Sequence, residues 1–298
     1  MCRDIRMSGF RGCLPSSSDD IENDLNDKDN FQWDIDNELK GYDYDSAANQ
    51  WDPALPTGAP TNVLAGTDII ASRYMSPETV SLTAPYSQSG QLFVDPNDDI
   101  FNVGDILMVT DCHQGSIFQL SKEQVAGGKD NLVHSAVANQ TMQPGNADPV
   151  LNKEYGADSK LARMRSTVFY IANNGEGNPA LYRSRLVDNS MTAQLNAEEL
   201  VEGVEDMQFL YGEDTNGDKS ADRYLNAKEM DDNGGNMSNV VAVRVAILVR
   251  SEDNVKPTND NTTKYTLLDK IAGPFNDRRL RQVFTTTIAL RNRLGVER

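Results

Sequence analysis

One run of ten residues near the C-terminus limits the fold more than any other segment. Residues 240–249 are almost continuously apolar and rich in β-branched side chains, and only Arg244 interrupts them. Such a run is typical of a strand that is buried on both faces or central in a sheet. The sequence therefore predicts a domain that is built around a β-sheet.

Shorter runs of the same kind predict further strands. They are bounded by Gly, Asp or Pro, which are frequent where a strand ends. The final run alternates in hydrophobicity, as a strand with one buried face does. Their order predicts one antiparallel β domain with a helix at its N-terminus. The predicted strands are residues 68–74, 105–111, 116–120, 166–172, 180–185, 207–211 and 283–290, and the last run places Phe284, Thr286, Ile288 and Leu290 on one face.

A hairpin is predicted in the middle of the chain. Residues 173–178 contain two glycines among Asn and Glu residues and separate two of the predicted strands. A glycine-rich segment between two β-like runs is a hairpin signal.

Two windows carry helical signals. Residues 2–13 place apolar side chains among arginines and end at two glycines, a pattern typical of the last turns of a helix. Residues 195–203 have Asn196 as a plausible N-cap and acidic residues in the first turn. This second window could equally begin a strand that leads into Val204.

Residues 14–62 match no strand pattern. They are rich in Asp, Asn, Ser and Pro, with Trp33, Tyr42, Tyr44 and Trp51 scattered among them. Disordered segments usually lack aromatic residues. We therefore expect an ordered loop excursion that lies over the body of the domain.

The charge of the chain limits its partners. The 298 residues have a formal net charge of −17 and a mean hydropathy of −0.55. Such a surface repels phosphate backbones and anionic lipid headgroups, so we expect no contact with nucleic acid. No run approaches the roughly 20 apolar residues that span a bilayer, and no signal peptide is recognisable.

The clearest candidate metal site is the segment of residues 214–222. Oxygen side chains occupy positions 1, 3, 5 and 9 of this short loop, and Ca²⁺ prefers six to eight oxygen ligands. A structural Ca²⁺ here would stabilise a hairpin from Leu210 to Tyr224. The ligands would be Asp214, Asn216, Asp218 and Asp222 through their side chains and Ser220 through its carbonyl oxygen.

The loop is similar to thrombospondin-type and dockerin-type calcium loops, but it departs from the EF-hand. Position 6 is Lys219 rather than Gly, and position 12 is Leu225 rather than a bidentate Glu. Glu213 or Glu229 would have to supply the missing carboxylate. The alternative is a hairpin turn without metal, because Asp, Asn and Gly are ordinary turn residues.

Catalytic motifs are lacking, and we expect the protein not to be an enzyme. No Walker loop, GxGxxG, GxSxG or HExxH occurs. Cys112 and His113 are adjacent, so on a strand they would point to opposite faces.

A second acidic patch at 231–236 is expected to be a mobile loop. A basic cluster near the C-terminus would either contact acidic neighbouring subunits or pair with Asp and Glu residues of the same chain. We favour pairing within the chain. The cluster consists of Arg278, Arg279, Arg281, Arg291 and Arg293.

Five segments, in the right order, resemble the PilW family of type IV pilus minor pilins. No single one of them is decisive, and the resemblance is thin between about residues 19 and 60. The segments are residues 3–13, 182–186, 199–212, 240–251 and 278–293.

The resemblance implies an α+β fold that is mostly antiparallel β. It would be a pilin-like head with long loop insertions and the remnant of an N-terminal stem helix packed on the sheet. Residues 1–13 would end the stem helix, and residues 14–298 would form a single head, with the excursion at 14–62. Because a prepilin begins with a basic leader and a long hydrophobic helix, we expect this chain to lack both.

A disulfide bond is also implied. The positions of Cys13 and Cys112 resemble the disulfide pair of the family. Cys2 would then remain without a disulfide partner. Such a bond persists in an oxidising compartment, and closing a loop of this length contributes about 4–5 kcal/mol on the chain-entropy model. The alternative is three buried thiols in a cytosolic protein.

The function implied is structural. A PilW-like minor pilin primes pilus assembly at the inner membrane and ends in the tip complex, in contact with other minor pilins, the major pilin and a PilY-type adhesin. Twitching motility, adhesion and DNA uptake would depend on it. One alternative is a type II secretion pseudopilin of the large J kind. The other is a calcium-stabilised secreted hydrolase or binding domain.

Overall fold

The computed structural model describes residues 1–14, 20–96, 100–136, 142–189, 192–258 and 262–293. This part of the chain is mostly β-structure, and no helix in it is long and apolar enough to cross a membrane. The helices are α1 (Cys2–Met7), α2 (Ala227–Asp232) and the 3₁₀ helix Met237–Asn239. The strands are β1 (Ile21–Asn23), β2 (Leu39–Asp45), β3 (Gln50–Asp52), β4 (Ile69–Met75), β5 (Val80–Ser81), β6 (Gln91–Val94), β7 (Ile106–Thr110), β8 (Gly115–Gln119), β9 (Lys122–Ala126), β10 (Lys129–Val133), β11 (Lys160–Asn173), β12 (Pro179–Asn189), β13 (Thr192–Glu202), β14 (Val204–Glu213), β15 (Arg223–Leu225), β16 (Val240–Arg250), β17 (Tyr265–Leu267), β18 (Lys270–Ala272) and β19 (Arg281–Ala289).

Strand β11 is the central strand of the largest sheet. Its 14 residues pair with β5 and β7 near its beginning, with β4 in the middle and with β12 towards its end. The main path of the sheet is β1-β8-β7-β11-β4-β2-β3, and β12 carries β13. All pairs are antiparallel except β1 with β8. The predicted hairpin across 173–178 is confirmed, because β11 and β12 pair directly from Asn173 with Pro179.

A second sheet of four strands packs on one face of the first. Its order is β15-β14-β16-β19, so the apolar run at 240–249 lies in a central strand, as predicted. Smaller sheets are formed by β6-β10-β9 and by β17-β18. The mostly antiparallel architecture inferred from the sequence is therefore confirmed.

The main hydrophobic core lies between the two larger sheets. Phe169 of β11, Phe209 of β14 and Val245 of β16 are buried in it together with Ile5 of α1. Gly41 of β2 allows this close approach, since a Cβ atom there would lie 2.1 Å from the hydroxyl oxygen of Tyr211.

The segment predicted to be a loop excursion is built into the fold. Strands β1, β2 and β3 all lie within it, and β2 pairs with β4 in the large sheet. Phe31 and Tyr42 are buried against Val168 and Tyr170 on the outer face of that sheet. The prediction of a loop throughout 14–62 is therefore wrong. Tyr42 and Tyr44 alternate with polar residues in β2, and the polar composition of the segment made this strand pattern hard to recognise.

Two further predictions need correction. Of the two alternatives for residues 195–203, the strand is correct and the helix is wrong: residues 195–202 belong to β13 and Gly203 to the turn after it, because pairing with β12 overrides the local helical pattern. The acidic patch at 231–236 is not a loop throughout, since Asp231 and Asp232 end helix α2, which begins with a capping box of Asn226 and Glu229, and only residues 233–236 lie outside it. The N-terminal helix has six residues and ends at Met7.

Candidate functional site

The N-terminal helix is fixed to the large sheet by buried polar contacts. Ile5 is fully buried, and the hydroxyl of Ser72 on β4 donates to the carbonyl oxygen of Asp4 at 2.8 Å. The hydroxyl of Tyr74 donates to the Asp4 carboxylate at 2.9 Å. Because these contacts fix both position and rotation, α1 is held in one orientation on the large sheet.

The two ends of the described chain meet beside this helix. The Glu38 carboxylate forms ion pairs with Arg11 at 2.5 Å and with Arg293 at 3.2 Å. The side-chain amide of Asn292 donates to the carbonyl oxygen of Met7 at 3.2 Å. Burial lowers the pKa of Arg293, although the negative charge of Glu38 opposes this shift. These contacts join the segment after α1 to the segment after β19.

The structure contains a disulfide bond between Cys13 and Cys112, the pair that the resemblance implies. Their Cα atoms lie 4.8 Å apart, and the residues are 99 positions apart in the sequence. Cys2 is a free, exposed cysteine. Since Cys112 is oxidised, it offers no thiolate, and Nδ1 of the adjacent His113 lies 3.3 Å from the Asp111 carbonyl oxygen.

The segment of residues 214–222 is the exposed tip of a hairpin. Strands β14 and β15 pair from Tyr211 with Leu225 to Glu213 with Arg223, so the predicted hairpin is confirmed. The carboxylate of Asp214 accepts hydrogen bonds from the backbone N–H groups of Asn216, Gly217 and Lys219 at 2.7–3.1 Å. Burial raises the pKa of Asp214, but these hydrogen bonds outweigh it and lower the pKa.

The far side of the tip is closed by Asp222. Its carboxylate accepts from the N–H and the hydroxyl of Thr215 at 2.7 and 2.8 Å, and from the amide of Asn216 at 3.0 Å. The oxygen-rich donor set suits a hard cation. Its geometry is held by hydrogen bonds, and no three His, Cys, Asp or Glu side chains are grouped as metal ligands in the part of the chain that the structure describes. A bound Ca²⁺ would therefore have to replace the contacts of Asp222.

Strand β19 leaves one long edge of the four-stranded sheet open within the described residues. It pairs with β16 alone, and most of its nine residues are exposed. Phe284 is 50% exposed, and Leu280 just before the strand is 55% exposed. Unpaired backbone groups beside exposed apolar side chains are what an added strand or subunit recognises.

Two of the C-terminal arginines, Arg281 and Arg293, pair with acidic side chains of the chain itself, as favoured from the sequence, whereas Arg278 and Arg279 contact backbone carbonyl oxygens. Arg281 contacts Glu205 at 2.5 Å and Asp277 at 2.6 Å. Arg279 donates to the carbonyl oxygens of Ser251 and Glu252. The basic cluster therefore stabilises the sheet more than it offers charge to a partner.

A buried arginine is one residue that the sequence did not single out. Arg73 of β4 is 1% exposed and donates to the carbonyl oxygens of Asn37 at 2.7 Å and Phe31 at 2.8 Å. Its guanidinium also lies over the Phe31 ring, 5.6 Å from the ring centre. The sequence did contain a signal for Arg73: it is the charged residue of the otherwise uncharged strand β4, and its side chain faces the segment 20–38.

Comparison with known proteins agrees with the resemblance. Residues 168–292 match the family model described as Type IV Pilus-assembly protein W, and this range runs from within β11 to just beyond β19. No curated protein matches the chain. A solved type IV-like pilin from Thermus thermophilus is 21% identical, covers 43% of this chain and 67% of its own, and has a TM-score of 0.26. A TM-score this low does not establish a common fold. The resemblance to the PilW family is thus confirmed over the C-terminal part of the chain.

Proposed function

We propose that this chain is the head of a type IV pilus minor pilin and that its role is structural rather than catalytic. The observation that carries the proposal is the family match over residues 168–292, which includes the whole four-stranded sheet and its open edge. The head would prime pilus assembly at the inner membrane and then sit in the tip complex. Twitching motility, adhesion and DNA uptake would follow from that position.

The proposed arrangement places the head in the periplasm of an inner-membrane-anchored prepilin, and later at the extracellular tip. Helix α1 would be the end of the stem, and its fixed orientation on the sheet would orient the head relative to neighbouring stems. The open edge of β19 would receive another minor pilin, the major pilin or a PilY-type adhesin. A Ca²⁺ ion bound by the 214–222 tip would have a structural role only.

The test is a strain that lacks this protein, complemented with variants and examined for surface pili by electron microscopy. We expect the deletion to remove most pili and native protein to restore them. Phe284→Glu should fail to restore them, because it places a charge on the open edge. Val125→Glu is the matched control, since Val125 is 76% exposed on β9, in a different sheet.

Normal piliation in the deletion strain would contradict the proposal. If pili stay normal while secretion of folded exoproteins stops, the pseudopilin alternative is correct. Equal failure of both variants would show that the β19 edge is not the docking surface.

A further inference from the structure

A cleft rich in arginine lies beside helix α1 on this strongly acidic protein. It has a volume of about 360 Å³ and is bounded by α1 and by strands β4, β11 and β12. Four arginines line it, Arg3, Arg165, Arg183 and Arg185, and these are the cleft arginines.

The strand register places three of these arginines on one face. Arg165 pairs with Tyr74, Arg185 pairs with Thr167, and Arg183 pairs with Phe169. Directly opposed residues of antiparallel strands project to the same side of a sheet. Phe169 packs with Ile5 of α1, so the three arginines share the face on which the helix lies. Arg3 approaches from the helix itself.

Two of the cleft arginines are already paired. Glu198 contacts Arg183 and lies 3.2 Å from Arg185. Asp4, the acid on the helix side, accepts the Tyr74 hydroxyl at 2.9 Å. Arg163, the next arginine along β11, pairs with Asp105 at 2.5 Å.

Arg165 and Arg3 have no such partner. Within the described residues, neither guanidinium makes a hydrogen bond or an ion pair. The negative charges of Glu78 and Asp105 influence Arg165 without contacting it. Both arginines line the cleft together with Tyr74. Arg165 is half-buried, and burial, followed by the positive charge of Arg163, lowers its pKa. A partly buried cation without a partner carries a desolvation penalty that a bound anion would offset.

We propose that this cleft binds a phosphate group, with Arg165 and Arg3 as its principal ligands. The planar guanidinium fork matches two oxygens of a phosphate and forms strong charge-assisted hydrogen bonds with them. A volume of about 360 Å³ accepts a phosphate ester and excludes a helix or a strand. The net charge of −17 repels anions from the rest of the surface, so binding depends on this cleft. The phosphate comes either from a soluble molecule or from a lipid headgroup.

The experiment is a calorimetric titration of the 298-residue chain with inorganic phosphate at low ionic strength. We expect Arg165→Gln to weaken binding roughly tenfold or more, the usual effect of removing a charged hydrogen-bond donor. Arg291→Gln makes the same change of charge at an exposed position outside the cleft and should bind like the native protein. Thermal unfolding without phosphate checks folding, and Arg165→Gln should be at least as stable as the native chain.

A second arm identifies the source of the phosphate. Flotation with phosphatidylglycerol vesicles, lost in Arg165→Gln and kept in Arg291→Gln, assigns the cleft to a lipid headgroup. Binding of inorganic phosphate without flotation assigns it to a soluble phosphate. No phosphate binding by the native chain, or equal weakening in both variants, overturns the proposal.

Discussion

Two polar segments of this molecule have similar compositions and opposite structural roles. The segment 20–62 is rich in Asp and Asn but is fastened to the sheet by strand pairing, buried aromatics and the guanidinium of Arg73. The tip at 214–222 is held almost entirely by its own Asp, Asn and Thr side chains and is exposed. The difference teaches that composition alone does not separate an integrated segment from a decoration. What separates them is whether the hydrogen-bond partners of the segment are local or distant.

Their carboxylates show the same contrast. Burial, followed by the charges of Glu22 and Asp148, raises the pKa of Asp24 in the first segment to about 7. In the second segment, backbone N–H groups lower the pKa of Asp214 despite the opposing effect of burial. Asp24 therefore favours its protonated form, whereas Asp214 favours its ionised form.

The largest expected effect comes from the disulfide bond, which closes the loop that contains segment 20–62 and leaves the tip outside it. Replacing both Cys13 and Cys112 with Ser should lower the free energy of unfolding by about 4 kcal/mol, because the unfolded chain regains the entropy of that loop. Denaturant unfolding without reductant measures the change. Cys2→Ser, at the free and exposed cysteine, is the control and should leave the stability unchanged. Equal stability of the double variant and the native chain would show that the bond does not constrain the unfolded state.

The next effect concerns the buried arginine. Arg73→Met should lower the free energy of unfolding by about 3 kcal/mol, because the buried carbonyl group of Phe31 and the partly buried carbonyl group of Asn37 lose their donor. Limited proteolysis should then cut near Phe31 sooner, while cleavage at the tip keeps its rate. Arg291→Met controls for the loss of an exposed cation. If cleavage near Phe31 keeps its native rate, Arg73 is not what fastens the segment.

A third prediction concerns pH. A carboxyl group with a raised pKa in the folded state stabilises the fold fully below about pH 4, and this contribution is lost as the pH rises through about 7. Melting temperature should therefore fall less between pH 5 and pH 8 in Asp24→Asn than in the native chain. Asp29→Asn removes an exposed carboxylate from the same segment and is the control. Parallel pH profiles for all three proteins would refute the buried acid.

The smallest effect on stability is expected at the tip. Asp218→Ala should change the free energy of unfolding by no more than about 0.5 kcal/mol, as at most exposed positions. If the tip binds Ca²⁺ as proposed, calorimetric titration gives a binding isotherm with native protein and none with Asp218→Ala. Asp231→Ala, an exposed acid in helix α2, should keep the isotherm. Absence of binding by the native chain would remove the calcium proposal.

Much of the fold could be predicted from the sequence because its strands carry their own signal. The run at 240–249 and the hairpin across 173–178 needed only periodicity and turn chemistry. Strand β2 was missed because polar residues interleave with its aromatics, and its pairing with β4 is a long-range contact. Residues 195–203 had the pattern of a helix, but the partner strand β12 decided their conformation.

The candidate surfaces were predicted less completely. The hairpin at 214–222 follows from local spacing, whereas its hydrogen-bonded geometry does not. The cleft arginines come from α1, β11 and β12, so no local window could bring Arg3 and Arg165 together. The net charge of the chain argued against an anion site. This argument fails because a net charge does not show where the individual cations lie.

The bond between Cys13 and Cys112 also determines how the molecule would respond to tension. A pull that enters through helix α1 reaches Cys13 and can pass through the covalent link directly into the turn between β7 and β8. The chain between the two cysteines cannot be drawn out while the link is intact. A filament subunit with this connection could be stretched repeatedly at its N-terminal end, and the segment that carries Phe31 and Trp33 would keep its place on the sheet.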